Sequence, residues 1–577
     1  MSRAPIPHHD AASRWPRAIA AGAVLAVGAI AGGLHPASAA ELHRSADLSV
    51  RWDTTVRYTV MHRLRGPAAA LLSDPNGDDG NRNFATGVVS NRADMFTEFG
   101  LARGPFGLEV SAAAWFDAAY RRRTDHDAAA TFNPVSVPVG RLPRAVRRLH
   151  GADAEVVNAY VYGAFEASGA TVSVRAGRQS LLWGESLFFA ENGIAAGMAP
   201  IDAIKALTVP SSKAAEVYMP VGQIWAAVQP NARVSVEAYW QPDWRRSRLP
   251  GAGSYFSAAD FLDVGGERLN VGPNQFFARG SDETALDGGQ VGLAVRFSAA
   301  AGDYGVYALR THARDPQLYL RFGRFIGPPR PTASGRERGS AYGLAPGLII
   351  AGPGNPLRNF YGLYGDPATG EVGRYALVYP EGIQVFGASL NGYLGDQSFA
   401  GEVSVRRHTP LVSEALFVLP NVTADNDARP LYARGDTLHV QASVIAVLGP
   451  GRAWDDATLA AEVAANRRLR IGRNSERFDP TRDRNAVSLR MVFEPQFFSV
   501  LPGLDLSLPV GIGLGVIGRS SVIAGQTSGV GDVEIGVRAT YRAVWSAALR
   551  VTSYFGPAAR QPLADRDAIS LSIQRTF

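Results

Sequence analysis

The chain has 577 residues, of which 46% are hydrophobic and 19% charged, with 62 Gly, 36 Pro and no Cys. This composition excludes a disordered chain and a disulfide scaffold, and its low charge and high glycine content are not typical of a helical enzyme. The net charge of +6 comes from 58 basic and 52 acidic residues. So mild an excess argues against a nucleic-acid partner.

The first 39 residues are predicted to be a cleaved export signal. Arg3, Arg14 and Arg17 precede an apolar stretch over residues 18–34, and Ala37-Ser38-Ala39 has the A-x-A pattern of a signal-peptidase site. We predict cleavage after Ala39, with an uncleaved anchor as the alternative. No later segment reaches the roughly 18 uncharged apolar residues that a membrane helix requires, which excludes a helical transporter.

Apolar and polar residues alternate along segments of about ten residues, which is the pattern of strands with one apolar and one polar face. In the first segment Val50, Trp52 and Val56 alternate with Arg51 and Asp53. The alternation returns at residues 95–101, 108–116, 234–240, 291–297, 403–405, 438–448, 487–493, 504–516, 533–541 and 549–555.

The connections between these strands alternate in length. Tight turns are predicted at 104–107, 167–169, 230–232, 298–301, 395–397, 499–503 and 543–544. Long polar connections are predicted at 63–92, 121–155, 179–221, 242–288 and 313–382. Short periplasmic turns and long external loops are typical of an outer-membrane barrel. The predicted fold is therefore all-β, a transmembrane antiparallel outer-membrane β-barrel that forms a single domain over residues 40–577.

The number of strands follows from parity, because a barrel with both termini in the periplasm needs an even count. A first count gives seventeen strands, and the doubtful stretch is Asp455–Ile471, whose Ala and Leu content favours a helix. With a period of two, its Glu462 and Asn466 fall on the polar face. Assigning this stretch to a strand predicts about eighteen strands, with sixteen as the alternative count.

The C-terminus has the form of a last barrel strand. Ile569, Leu571 and Ile573 alternate with polar residues before the terminal Phe577, and Arg575 departs from the pattern. Aromatic residues near predicted strand ends are candidates for the girdles at the membrane interfaces. These residues are Tyr58, Trp115, Trp240, Tyr541 and Trp545.

Several stretches resemble the domain-of-unknown-function 1302 family of proteobacterial outer-membrane proteins, most clearly the segment Gly177–Ser186 (GRQSLLWGES). The others are Asp79–Phe84, Ser90–Arg92, Pro200–Asp202, Lys213–Glu216 with Pro220, Tyr255–Phe256 and Pro502–Leu506. The resemblance covers essentially the whole mature chain. It implies a role with hydrophobic molecules such as steroids or other lipids, because relatives are encoded near lipid-binding and efflux-type transport components. Ala199 stands where the family has Asn, so no role of that Asn carries over.

The 179–221 connection is predicted to fold into the lumen, because its apolar middle and charged ends suit a polar interior. It holds the only two lysines of the chain. The candidate lumen or gate residues are Trp183, Glu185, Asp202, Lys205, Lys213 and Glu216. A gate for solute is one interpretation, and a loop that only plugs the barrel, with Lys213 paired to a lumen carboxylate, is the other.

The inward faces of the strands are predicted to carry a ladder of opposite charges across neighbouring strands. The arginines are Arg51, Arg57, Arg233, Arg296, Arg490 and Arg538, and the glutamates are Glu98, Glu109, Glu237, Glu402, Glu494 and Glu534. Such a mixed lining predicts weak ion selectivity. The glycine-rich stretch 511–518 lacks the Lys-Ser/Thr ending of a phosphate loop and is predicted to serve close strand packing.

No catalytic, cofactor-binding or metal-binding residue is predicted. The few His of the mature chain stand in no motif with Ser, and Gly-x-Ser-x-Gly is absent. Asp74, Asn76, Asp78, Asp79 and Asn81 resemble an oxygen-ligand loop for Ca²⁺, but the glycine and the twelfth position do not fit an EF-hand. The preferred interpretation is a solvated external loop.

Together these patterns predict an exported outer-membrane channel for a hydrophobic solute, without enzymatic activity. Its expected partners are outer-membrane lipid and lipopolysaccharide, the solute, and a periplasmic lipid-binding or efflux-type protein. Two alternatives stay open. In the first, the barrel is an anchor that docks a periplasmic partner without transport. In the second, it is an outer-membrane hydrolase.

Overall fold

The computed structural model describes residues 40–45, 47–208, 213–272, 275–327, 363–366 and 368–577, so the predicted signal peptide lies outside the described residues. Eighteen antiparallel strands close into a barrel, which confirms the predicted fold class and strand number. The strands are β1 Leu48–Arg63, β2 Gly87–Arg103, β3 Phe106–Asp117, β4 Ala152–Ala167, β5 Ala170–Gln179, β6 Val221–Asn231, β7 Val234–Gln241, β8 Gln290–Ala299, β9 Gly302–Thr311, β10 Ile383–Leu394, β11 Gln397–Pro410, β12 Arg434–Val447, β13 Asp456–Arg473, β14 Asn485–Leu501, β15 Leu504–Ser507 with Val510–Ile517, β16 Gly531–Tyr541, β17 Trp545–Phe555 and β18 Ala568–Thr576.

The first and last strands close the barrel. They pair from Thr55 opposite Thr576 to Arg63 opposite Ala568. The N–H of Phe577 then donates a 2.8 Å hydrogen bond to the carbonyl of Thr54. The short strand Ala40–Arg44 pairs with β1 beyond this point, opposite residues 49–52. With every strand paired on both sides, the barrel has no open edge.

The alternation of side chains decides which face of each strand meets lipid. On β7, Val236 and Trp240 are 39% and 48% exposed. Glu237 and Tyr239, which lie between them in the sequence, are only 8% and 4% exposed. Exposed apolar residues therefore cover the outer wall and polar residues face the lumen, as the period of two predicts. The doubtful stretch is strand β13, and its Glu462 and Asn466 are buried toward the inside.

Short and long connections lie at opposite ends. Eight connections of at most eight residues join the strands at one end, and nine longer ones lie at the other. The turn between β4 and β5 has Ser168 and Gly169 at φ 53° and 80°, the left-handed conformations of a tight hairpin. Short turns are periplasmic in outer-membrane barrels, and Phe577 lies at the same end as the short turns.

The aromatic residues predicted for the girdles do not all face the membrane. Tyr58, Trp240 and Tyr541 are exposed on the outer wall, in agreement with a girdle. Trp115 is a wrong assignment, because its side chain is only 9% exposed and its indole N–H donates to the carbonyl of Leu149 in the connection between β3 and β4. Arg575, which breaks the apolar pattern of β18, places its guanidinium 4.4 Å from the ring of Phe577 and 5.2 Å from that of Trp545.

The long connections carry the remaining elements. A five-stranded external sheet contains Arg268–Gly272, Gln275–Arg279, Gln317–Phe322, Glu371–Val378 and Leu416–Val418, and a two-stranded one pairs Phe325–Gly327 with Leu363–Tyr364. The short helices are Asp79–Arg82, Ala119–Arg121, Arg144–Val146, Arg147–Gly151, Ala190–Asn192, Ile194–Gly197, Ala203–Thr208, Ala214–Val217 and Ser475–Arg477. In the described ranges, no helix has the length and apolar character needed to span a membrane.

Candidate functional site inside the barrel

The connection between β5 and β6, described at residues 180–208 and 213–220, contacts inward-facing side chains of the barrel wall; we call these residues the lumen segment. It has a small apolar core of its own that includes Ala190, Ala195, Val217 and Tyr218. Ala199, at the position where the family has Asn, is buried in this core and brings no polar group to it. The hydroxyl of Tyr218 donates a 2.7 Å hydrogen bond to the carbonyl of Ala190, and burial raises the pKa of this hydroxyl well above its usual value.

Trp183 fixes the start of the lumen segment to the wall. Its side chain is 1% exposed, and its ring lies 5.1 Å from Tyr239 and 5.8 Å from Tyr307. The indole N–H donates a 2.9 Å hydrogen bond to Oε2 of Glu237, which also accepts from Trp225 at 3.2 Å. Trp183 therefore occupies an apolar pocket in the wall with one polar contact at its edge.

Glu402 on β11 holds the segment at two places. Its carboxylate accepts the backbone N–H of Glu185 at 2.8 Å and that of Ile194 at 3.0 Å. Each donor follows a glycine, and a Cβ on Gly184 or Gly193 would come within 2.0 or 2.9 Å of a Glu402 oxygen. The carboxylate can approach the backbone because both positions lack a side chain.

Glu462 on β13 holds the next stretch. Its carboxylate accepts three consecutive backbone N–H groups, those of Leu187 at 3.0 Å, Phe188 at 2.5 Å and Phe189 at 2.8 Å. Hydrogen bonds to an ionised acceptor are stronger than neutral ones. Two wall carboxylates thus replace the secondary-structure partners that these five backbone groups lack.

Arg406, Asn192 and His439 complete the contact on this side. The guanidinium of Arg406 donates to the carbonyls of Glu191, Asn192 and Gly193 at 2.6–3.2 Å. The amide oxygen of Asn192 lies 3.0 Å from Nδ1 of His439 on β12. Wall and segment are therefore matched donor to acceptor over several residues.

The charged end of the lumen segment reaches across the barrel. The carboxylate of Asp202 accepts from Arg248 at 2.9 Å, and Arg248 also binds Glu155 on β4 at 2.6 Å. On another part of the wall, the hydroxyl of Tyr554 on β17 donates to the carbonyl of Leu207 at 3.4 Å. The segment thus contacts β7, β11, β13 and β17 directly, and Arg248 of the 242–289 connection links it to β4.

The remaining candidate residues have different positions. Glu185 accepts the side-chain amide of Asn391 at 3.0 Å. Lys205 donates through Nζ to the carbonyl of Glu216 at 2.6 Å, which links the two short helices of the segment. Lys213 and Glu216 are exposed, and within the described ranges Lys213 pairs with no carboxylate. The structure therefore does not contain the expected pairing of Lys213 with the lumen lining.

The charge ladder is only partly as expected. Ion pairs join Arg296 to Glu237, Arg538 to Glu494 and Arg550 to Glu534. Glu402 departs from the ladder because it binds the lumen segment, and Glu109 accepts the hydroxyl of Tyr160 instead of an arginine.

Two ion pairs cross strand β15. Arg490 on β14 and Asp532 on β16 lie 2.5 Å apart, and a Cβ on Gly513 between them would meet Arg490 at 2.3 Å. The 511–518 stretch is thus close packing in a strand, as predicted. The pair from Arg538 to Glu494 crosses the same strand near Ser507, on the other side of its break at Leu508-Pro509.

A cavity of about 250 Å³ lies beside the lumen segment, toward the periplasmic turns. Its lining includes Glu185 from the segment and, from the wall, Arg233, Arg296, Tyr307, Ser389 and Asn391. Both signs of charge are present, so the cavity suits a polar group without a strong preference for one sign.

A closed transmembrane barrel whose interior is crossed by a folded connection is an outer-membrane barrel of the plugged type. The chain belongs to the DUF1302 family, described as "protein of unknown function", whose model matches residues 20–577. The resemblance found from the sequence motifs is thereby confirmed. No curated protein matches the sequence.

Solved outer-membrane proteins are similar to the chain over most of its length. Pseudomonas aeruginosa OpdK, solved with vanillate, has 11% identity and a TM-score of 0.38, with 92% of this chain and 98% of that chain covered. Acinetobacter baumannii OccAB4 has 8% identity and a TM-score of 0.41 over 93% and 99%. The channel DcaP of Acinetobacter baumannii has 7% identity and a TM-score of 0.37 over 92% and 99%.

Proposed function

We propose that this protein is an outer-membrane channel for a hydrophobic solute and that the lumen segment is its gate. The observation that carries the proposal is the pair of wall carboxylates, Glu402 and Glu462, which together bind five backbone N–H groups of the segment. The barrel closes without the segment, because its own strands supply the backbone partners. The segment can therefore move while the wall stays intact.

The pocket of Trp183 supports the choice of a hydrophobic solute. It contains Tyr239, Tyr307 and Leu309 within an apolar cluster, inside a lumen that is otherwise lined by polar groups. An apolar ring that replaces Trp183 would keep the same buried contacts. The carboxylate of Glu237 would then accept a hydroxyl of the solute in place of the indole N–H.

Deletion of residues 187–210 tests the gate. The variant should assemble, with the mobility difference between unheated and boiled samples that folded barrels show. Its single-channel conductance in planar bilayers should rise several-fold, because conductance follows the narrowest cross-section. Normal assembly with unchanged conductance would contradict a gate.

Uptake of steroids, fatty acids and aromatics by cells with and without the gene then distinguishes a channel from an anchor that only docks a periplasmic partner.

A further inference from the structure

Four arginines lie on neighbouring strands at the external end of the barrel. They are Arg310 on β9, Arg407 on β11, and Arg467 and Arg470 on β13, and all four are exposed. Each lies near the end of its strand that is far from the short turns. We call these four residues the arginine belt.

The side chains of the belt point away from the lumen, because successive side chains of a strand alternate between its faces. On β9, Arg310 follows Leu309, which is buried on the inward face. On β11, Arg406 points inward and binds the lumen segment, so its neighbour Arg407 lies on the outer face. On β13, Arg467 likewise follows the buried Asn466.

The belt is continuous around this part of the wall. Arg310 pairs with Gln384 on β10, and Gln384 pairs with Arg407. On the next two strands Asp436 pairs with Arg470. Because neighbouring strands lie about 4.8 Å apart, these five strands span about 20 Å of the outer wall. The guanidinium groups of the belt can therefore reach one large headgroup together.

The positive charge of the belt is mostly uncompensated. Asp436 is the carboxylate at these outward positions, and it binds Arg470 at 2.6 Å. In the part of the chain that the structure describes, the side chains of Arg310, Arg407 and Arg467 form no ion pair or hydrogen bond. Four arginines against one aspartate leave three positive charges (4 − 1) on a surface that faces lipid.

The belt borders the apolar band of the wall. Phe386 lies one outward position nearer the midplane on β10, and Val403 and Val440 lie two rows nearer on β11 and β12, and all three are exposed. In the row of the belt itself, Trp240 on β7 is joined to Arg310 through one residue of β8. Tryptophan is typical of the membrane interface. The belt therefore lies where the headgroups of the outer leaflet meet the acyl chains.

We propose that the arginine belt binds the phosphate groups of lipopolysaccharide, whose acyl chains then lie on the apolar rows beside it. Guanidinium groups bind phosphate oxygens in pairs, and basic clusters next to an apolar membrane surface recognise anionic headgroups. Arg310, Arg407 and Arg467 bind the phosphates, and Asp436 holds Arg470 in place. The lipid is thereby bound outside β11 and β13, the strands whose carboxylates hold the lumen segment on the inside.

The test uses the purified full-length barrel in detergent, freed of bound lipid and titrated with rough lipopolysaccharide. Native mass spectrometry measures the fraction of barrels that carry the lipid. We expect saturable binding, at least tenfold weaker for lipopolysaccharide whose phosphates have been removed. The triple variant Arg310→Gln, Arg407→Gln, Arg467→Gln should also bind at least tenfold more weakly.

The matched control removes three exposed arginines from the periplasmic end. These are Arg103 at the end of β2 and Arg452 and Arg542 in short turns, each replaced by Gln. The control variant loses the same charge as the belt variant and should bind like the wild type. An equal loss of binding in both variants would overturn the site, because it would reflect total charge and not the belt.

Two further results would overturn the proposal. Equal binding of intact and dephosphorylated lipopolysaccharide would mean that the apolar rows alone hold the lipid. Inorganic phosphate or phosphatidylglycerol that binds as tightly as lipopolysaccharide would mean that the ligand is wrong. Because these comparisons use the wild-type barrel, a variant that fails to assemble does not affect them.

Discussion

The indole N–H of Trp183 donates a 2.9 Å hydrogen bond to Oε2 of Glu237 on strand β7. This contact and the surrounding tyrosine rings fix the beginning of the lumen segment. We expect Trp183→Ala to loosen the segment, at a cost of about 3–5 kcal/mol in packing. Trp183→Phe keeps most of the ring contacts and loses only the hydrogen bond, so its effect should be smaller. Bilayer recordings should show frequent openings in the alanine variant, and equal behaviour of both variants would contradict this role.

Glu402→Gln and Glu462→Gln test the wall carboxylates. A neutral amide oxygen accepts more weakly than a carboxylate, and the amide N–H₂ would face backbone donors. Each variant should raise the opening frequency, and the double variant should approach the conductance of the 187–210 deletion. Glu109→Gln is the matched control, because Glu109 faces the lumen but binds the wall residue Tyr160. A control that opens the channel equally would show a general effect of lumen charge.

The pair Val236 and Ser235 tests the orientation of strand β7. Val236 is exposed on the outer wall, and Ser235 lines the cavity inside. Val236→Arg should cost about 2–4 kcal/mol near the membrane midplane, whereas Ser235→Arg should be mild. Denaturant unfolding in lipid vesicles measures the difference. Similar stabilities of the two variants would mean that the register is wrong.

His150 predicts acid sensitivity of the external loops. Its Nε2 accepts the backbone N–H of Gly251 at 3.0 Å, and burial, with smaller effects of Arg92 and Arg248, lowers its pKa from 6.5 to about 3. Because the native state binds this proton less readily than the unfolded state, the contact is fully stabilising above pH 6.5 and weakens as the pH falls toward 3. Hydrogen exchange of residues 242–289 should rise in acid. His150→Gln, which keeps an acceptor, should remove that part of the pH dependence.

The architecture could be predicted from the sequence because a period of two and connection lengths are local signals. The same signals placed strand β13 against its helical propensity. The contacts of Glu402 and Glu462 could not be predicted, since they join residues more than 200 positions apart. The only local sign was the glycine before each of the two donors to Glu402, at Gly184 and Gly193. Trp115 was misread although the period of two places it on the inward face of its strand with Ser111 and Asp117. Asp78 and Asp79, predicted to lie in a solvated loop, are buried. They were misread because a loop has no period that reports burial.

Strand β15 is broken at Leu508-Pro509, where proline cannot donate to its neighbour. The ion pairs Arg490–Asp532 and Arg538–Glu494 connect the strands on either side of it, one on each side of the break. These two ion pairs hold β14 and β16 together where the backbone hydrogen bonds of β15 are interrupted. Ion pairs between side chains thus stabilise the wall at β15, whereas the carboxylates of Glu402 and Glu462 hold the lumen segment elsewhere on the circumference. Loss of either ion pair should lower the stability of the barrel wall without releasing the lumen segment.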